Sequence, residues 1–348
     1  MTVRWTILIS FLVVMGAVMV HACKKSGADT TADPTPVSFH IPNGWPAPHY
    51  DFSGNPLTRE GFELGRKLFY DGRLSKDGNF PCASCHQQFA AFSTFDHPLS
   101  HGFNNQFTTR NAPGLFNIAW QAETHWDGGI TNLEVQPLAP LTAPNEMAED
   151  INNVLEKLKK DEQYVSMFKA AFGDATINSQ RMLWALTQFT GSMVSADSKY
   201  DRVKNGTAQF TPDELTGYTL FKSKCTSCHT EPLLTDNSFR NTGIPVDPTI
   251  NDYGRMRITR KPEDSLKFKV PSLRNIAVTA PYGHDGRFLS ISQVLEHYNS
   301  GVVNGPTTDP LVKNKIPLSI NDKFYLLIFL RTLTDSTFIK DTRFSQPE

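Results

Sequence analysis

Apolar residues recur along this chain at helical spacing and never alternate over a sustained run, so the pattern predicts helices and no extended sheet. A first apolar run, Trp5 to Val20, follows Met1-Thr2-Val3-Arg4 and ends at His21-Ala22-Cys23. Residues 24 to 57 are rich in Pro, Gly, Thr and Ser without apolar periodicity, which predicts a tether with no core. Thr58 to Tyr70 then carries Gly65, Leu68 and Phe69, and Thr211 to Lys222 carries Gly217, Leu220 and Phe221 at matching offsets, an internal repeat. The second copy opens on Thr211-Pro212-Asp213-Glu214, where Thr caps, Pro occupies the first turn and Glu closes a capping box. Between the copies, Ala148 to Phe172 and Ser179 to Ser195 read as helices, the latter with Met182, Leu183, Leu186 and Phe189 on one face. Beyond the second copy, Ile291, Val294, Leu295 and Tyr298 share a face, and Gly301 fits that helix as a C-terminal cap. Leu326, Leu330 and Leu333 share another, with Phe329 between them.

With 348 residues the chain is long enough for two domains, each with its own core. Its 34 basic and 35 acidic residues are not blocked by sign, which argues against a nucleic-acid partner. The 22 Gly and 23 Pro imply long loops between the helices. The N-terminal run is shorter than the roughly 20 residues that span a bilayer. With its leading Arg4 and the small residue before Cys23 it reads as a lipoprotein-type signal peptide over 1–22, with Cys23 as a lipidated N-terminus. The alternative is an uncleaved transmembrane anchor. Either way the rest of the chain is exported, and the expectation is a periplasmic protein tied to a membrane.

Setting Cys23 aside leaves Cys82, Cys85, Cys225 and Cys228, all in C-x-x-C-H: Cys82-Ala83-Ser84-Cys85-His86 and Cys225-Thr226-Ser227-Cys228-His229. Two thiols at this spacing can add to the two vinyl groups of one haem, and the adjoining histidine then ligates its iron. A thioredoxin-like disulfide would use one such pair near a βαβ pattern, and zinc would want four ligands close together, whereas these pairs stand far apart in the chain. The reading is therefore two covalently bound haems c in an all-α protein of two cytochrome c-like domains, each with long loops wrapping one haem. The tether occupies 23–57, an N-terminal haem domain 58–205 and a C-terminal one 206–348.

Further segments stand in a fixed order around these motifs. They are Leu64-Gly65 with Leu68-Phe69, Asp71-Gly72-Arg73-Leu74-Ser75, Arg110-Asn111-Ala112-Pro113 and Trp126-Asp127-Gly128, then Pro271-Ser272-Leu273-Arg274-Asn275 and Ala280-Pro281-Tyr282-Gly283-His284-Asp285-Gly286. In these, over roughly residues 58 to 300, the chain resembles the bacterial dihaem cytochrome c peroxidase family, which includes the MauG enzymes that oxidise a protein substrate. The resemblance implies that the haem on His86 meets peroxide while the haem on His229 stores and relays an electron, with Trp126 between them. By itself Trp126 would be an ordinary buried aromatic. Cleaving a peroxide bond needs an open iron position and a group that moves a proton, a task for a carboxylate. Gln136 and Glu146 match the family's distal glutamine and glutamate, although from local sequence Glu146 would pass for an acid favouring the helix start after Met147.

Two positions depart from the family's peroxidases. Their distal histidine aligns with Phe103, in Ser100-His101-Gly102-Phe103, so this haem is expected to be open when oxidised unless His101 substitutes. Their methionine ligand to the C-terminal haem, counted from His284, aligns with Tyr298, as in MauG enzymes. A phenolate would favour ferric and higher states; the alternatives are a core tyrosine there and Met256 as a remote ligand. The resemblance also implies a calcium ion between the domains, on Asn111, Thr279 and Pro281. Dimers are common in that family, and no stripe here singles one out.

Three functions follow. One is a peroxidase reducing hydrogen peroxide to water with electrons from a small cytochrome or cupredoxin. Another is a MauG-type oxidase acting on a protein or other organic substrate. The third is a dihaem electron carrier without turnover, for which Gln136 and Glu146 would be incidental.

Overall fold

Among the described residues, every helix of six or more residues starts on a side chain that accepts a first-turn N–H, supplying one of the partners a helix start lacks. The computed structural model describes residues 33–348, so the apolar N-terminal run, Cys23 and the start of the tether lie outside the described residues. These helices are α1 (Arg59–Tyr70), α2 (Ile151–Lys159), α3 (Glu162–Phe172), α4 (Ser179–Gly191), α5 (Lys199–Lys204), α6 (Pro212–Lys224), α7 (Ile291–Glu296) and α8 (Ile320–Arg331). The predicted capping box forms: Thr211 Oγ1 accepts from Glu214 N, and Glu214 Oε2 accepts from Thr211 N at 2.7 Å. The segment 148–172, read as one helix, is two. Asp161 breaks it because its carboxylate caps α3 through the N–H groups of Gln163 and Tyr164.

The repeated glycines are helix crossings. A Cβ on Gly65 would sit 1.9 Å from the Ala185 carbonyl oxygen of α4, and one on Gly217 would sit 2.1 Å from that of Tyr325 in α8. Around the α1/α4 crossing a first core gathers Leu64, Leu68, Phe69, Phe168, Leu186 and Phe189. Around α6/α8 a second gathers Tyr200, Phe221, Leu326, Phe329 and Leu330. The chain's end belongs to the first, since Phe338 and Phe344 pack beside Phe92 and Phe189.

The chain is helix-rich with long loops, as expected, but not wholly without strands: β1 (Phe239–Arg240) pairs antiparallel with β2 (Phe268–Lys269). The repeat reaches into the loops. Asn117 and Asn275, at φ 57° and 58°, each precede a 3₁₀ turn, Ile118–Trp120 and Ile276–Val278. The halves interlock reciprocally, with Asn111 N donating to His284 O at 2.8 Å and Lys269 N to Trp126 O at 2.7 Å. Arg274, 1 % exposed, makes a paired contact with Asp201 at 2.8 Å through each terminal nitrogen and donates to Pro232 O, so its buried charge is fully partnered.

The expected absence of a core over 24–57 fails for its second part. Half-buried aromatic residues pack there without period: Trp45 meets Trp120 edge-on at 5.0 Å, Phe52 meets Tyr50 edge-on at 5.0 Å, Trp120 Nε1 donates to Pro46 O, and Asn55 and Leu57 are buried. Among the described residues no helix is long and apolar enough to cross a membrane.

Candidate functional site

Cys82–Cys85 form one helical turn, and His86 follows with its N–H on Cys82 O. These three residues line a cavity of about 670 Å³. Nδ1 of His86 lies 2.8 Å from the Phe92 carbonyl, which can only accept, so the ring hydrogen is on Nδ1 and Nε2 keeps its lone pair. Phe92 stands at φ 58°, and this left-handed turn aims the carbonyl. The second motif repeats the device. His229 Nδ1 lies 3.1 Å from the carbonyl of Leu234, at φ 57°, and Cys225, Cys228 and His229 line a cavity of about 540 Å³. Burial lowers both histidine pKa values, favouring the neutral, metal-ligating ring. Two thiols and one oriented imidazole on each wall, around volumes usual for cofactor sites, fit one haem c apiece.

One wall serves both cavities, built by Asn111, Pro113, Trp126, Lys269 and Pro271 among others. The structure therefore puts Trp126 between the two sites, with Nε1 donating to Asn111 O at 2.9 Å. Lys269, 7 % exposed, donates to Gln121 Oε1 at 3.0 Å and to the Glu123 carbonyl, and burial pulls its pKa down to about 8.

Glu146 and Gln136 both line the first cavity. Glu146 does not start a helix: its N–H closes a turn on Ala143 O, and α2 begins later on the Asp150 cap. Burial raises its pKa, and no ion pair among the described residues offsets this. Phe103 lines neither cavity and lies under Lys76 Nζ at 5.0 Å, whereas His101 does line the first, with Nδ1 2.8 Å from Asn105 Oδ1. Sequence reading passed over His125, which also lines the first cavity and has Nε2 3.4 Å from Gln136 Nε2. Its only signal was its place before the Trp-Asp-Gly motif.

Tyr298 lines the second cavity, and Met256 lines neither. Gly301 does not end α7 as a left-handed cap. The helix instead widens into a π turn, His297–Gly301, which carries Tyr298. The phenol has no hydrogen-bond partner among the described residues, and burial raises its pKa well above the ordinary value. Asn111, Thr279 and Pro281 line this cavity together. Asn111 Nδ2 donates to Pro98 O, and neither its Oδ1 nor the carbonyls of Thr279 and Pro281 accept a hydrogen bond from a described residue.

Two oriented C-x-x-C-H histidines, each at its own cavity with a common wall, define a dihaem c-type redox protein. The family model for di-haem cytochrome c peroxidase matches residues 59–209. The methylamine utilization protein MauG of Methylorubrum extorquens is 34% identical over 332 residues, covering 91% of each chain. The cytochrome c551 peroxidase of Nitrosomonas europaea is 36% identical over 246 residues, 69% of this chain and 73% of that one. Among solved structures, a MauG-like protein associated with microbial copper homeostasis superposes with a TM-score of 0.82 at 34% identity, over 89% of this chain and 99% of that one. The chain belongs to the di-haem cytochrome c peroxidase family, which carries two haems c, and is an oxidoreductase of the peroxidase type.

Proposed function

We propose that the chain is a dihaem peroxidase that reduces hydrogen peroxide to water at the haem on His86, drawing electrons from a small cytochrome or cupredoxin through the haem on His229. The observation that carries this is the first cavity's lining: an acid with raised pKa, Glu146, with the amide of Gln136, on the site held by His86. When bound, the haem iron supplies the redox chemistry. Glu146 moves a proton between the two peroxide oxygens, Gln136 orients them, and Trp126, common to both walls, bridges the two sites. The carrier reading is weaker, because it leaves a half-buried carboxyl in a cavity wall without a task.

Tyr298 favours a second reading, a MauG-type oxidase of an organic or protein substrate. Its phenol oxygen is on the second cavity's wall without a hydrogen-bond partner among the described residues, and would there be the group to hold the iron together with His229. The reading extends to two cytochrome c-like domains, 58–205 and 206–348, with the Phe338–Phe344 tail returning to the first. It includes one calcium ion on Asn111 Oδ1 and the Thr279 and Pro281 carbonyls, whose three unpartnered oxygens suit a hard cation. It also includes export, with Cys23 lipidated.

The test is one equivalent of hydrogen peroxide added to the diferric protein without prior reduction, followed in the haem absorption bands. A prompt change is expected, because Phe103, at the position of the peroxidases' distal histidine, could not ligate iron. No reaction until half-reduction would mean a distal ligand, His101, and a reductively activated enzyme.

A further inference from the structure

The loop that carries Trp126 is repeated by the loop that carries His284. Thr124 N donates to Ile130 O at 2.7 Å, and Tyr282 N donates to Phe288 O at 2.7 Å. Asp127 Oδ1 accepts from Gly129 N at 3.0 Å, and Asp285 Oδ1 accepts from Arg287 N at 3.3 Å. Gly128 and Gly286 stand at φ 70° and 69°. In this superposition Trp126 matches His284, and His125 matches Gly283.

Gly283 has φ 89°, and His125 has φ 66°. The loop geometry therefore asks for a left-handed residue at this place in both copies, and only the second copy uses the residue that takes it without strain. In the first copy an imidazole occupies a position that favours glycine, at a backbone cost that glycine would not carry. That side chain lines the first cavity and, among the described residues, makes one polar contact, with the Gln136 amide nitrogen at 3.4 Å. An amide N–H can only donate, so His125 Nε2 accepts and its own hydrogen sits on Nδ1. The amide has no other hydrogen-bond partner among the described residues. Burial lowers the His125 pKa, and Arg110 and Lys269 act in the same direction against Asp127, which keeps the accepting form.

We infer that His125 is a positioning residue of the first cavity: its imidazole holds the Gln136 amide by the nitrogen and so presents the amide oxygen end and the second N–H to a ligand on the iron held by His86. This rests on the reading of that cavity as an open distal pocket. Nothing in a Trp-Asp-Gly motif assigns a task to the residue before it.

The probe is cyanide, titrated into the diferric full-length protein carrying both haems. His125→Gly restores the residue used by the second loop, so the variant should keep its thermal midpoint or raise it. Its cyanide dissociation constant should nevertheless rise about tenfold, the worth of one hydrogen bond. Gln136→Ala should weaken cyanide similarly, and the double variant should be no weaker than Gln136→Ala alone. An unchanged dissociation constant in His125→Gly overturns the inference, and so do effects of the two substitutions that simply add. A wild-type protein inert to cyanide overturns the open pocket itself, and with it the role given to His125. Cyanide binding in wild type with additive variants leaves the pocket standing and removes His125 alone.

Discussion

Glu146 has two consequences that one substitution separates. As the proton-moving group it should make Glu146→Gln slower with peroxide by roughly 10²–10⁴, with both haems still attached, as stopped-flow absorbance would report. Because burial raises its pKa, the wild-type rate limb that depends on the carboxylate should have its midpoint above about 4.3, the ordinary glutamate value, and the variant should lack that limb. The native state binds this proton more tightly than the unfolded chain does. Its stabilising contribution is therefore complete below the unfolded pKa and is lost as pH rises through the folded one. Glu146→Gln, neutral at every pH, should be at least as stable as wild type at pH 8 in urea unfolding; a clear loss there would mean a carboxylate partnered in the fold. At this scale the sequence was legible where chemistry demands a fixed spacing, as in both C-x-x-C-H motifs. It was silent on His125, whose task comes from a backbone conformation and from a partner in another segment.

Elements were legible where their signals are local. The Thr211 capping box and the repeated Gly-x-x-Leu-Phe pattern both describe what forms. Breaks were harder to read, because Asp161 ends one helix and begins another by a side-chain choice that apolar periodicity does not register. The π turn holding Tyr298 extends α7 past Glu296, where a regular helix with a glycine cap was the simpler expectation. The crossing glycines give the element-scale prediction. In an exposed helix Gly→Ala would gain up to about 1 kcal/mol. At Gly65 the new methyl would meet the Ala185 carbonyl at 1.9 Å, backbone that cannot swing aside. Gly65→Ala should therefore destabilise the protein by about 1–3 kcal/mol in chemical denaturation despite the better helix former. A variant as stable as wild type would mean that α1 and α4 can separate at little cost.

Across the whole molecule, what the sequence hid is how the halves hold each other. Asn111 bonds to the loop of the second copy and Lys269 to the loop of the first, so each haem-motif half completes the backbone of the other at their common wall. The chain's end adds a second link. Phe344 is 5 % exposed among Phe62, Phe92, Phe189 and Phe338, and its carbonyl accepts from Tyr70 Oη at 2.7 Å. Gln88, two residues past His86, donates to Asp341 O at 2.8 Å and accepts from Ser345 Oγ at 3.0 Å. The tail thus braces the turn whose Phe92 carbonyl orients His86, although it follows the second motif in sequence. Phe344→Ala should cost about 3–5 kcal/mol of stability for a buried phenylalanine. It should also disturb the two haems unequally, because the Phe344 ring packs against the core on the His86 side. Electron paramagnetic resonance of the diferric protein reports this: the signal of the haem on His86 should broaden or shift while that of the haem on His229 stays. Equal disturbance of both, or of neither, would show that the tail is packing for the first core and not a brace for its histidine.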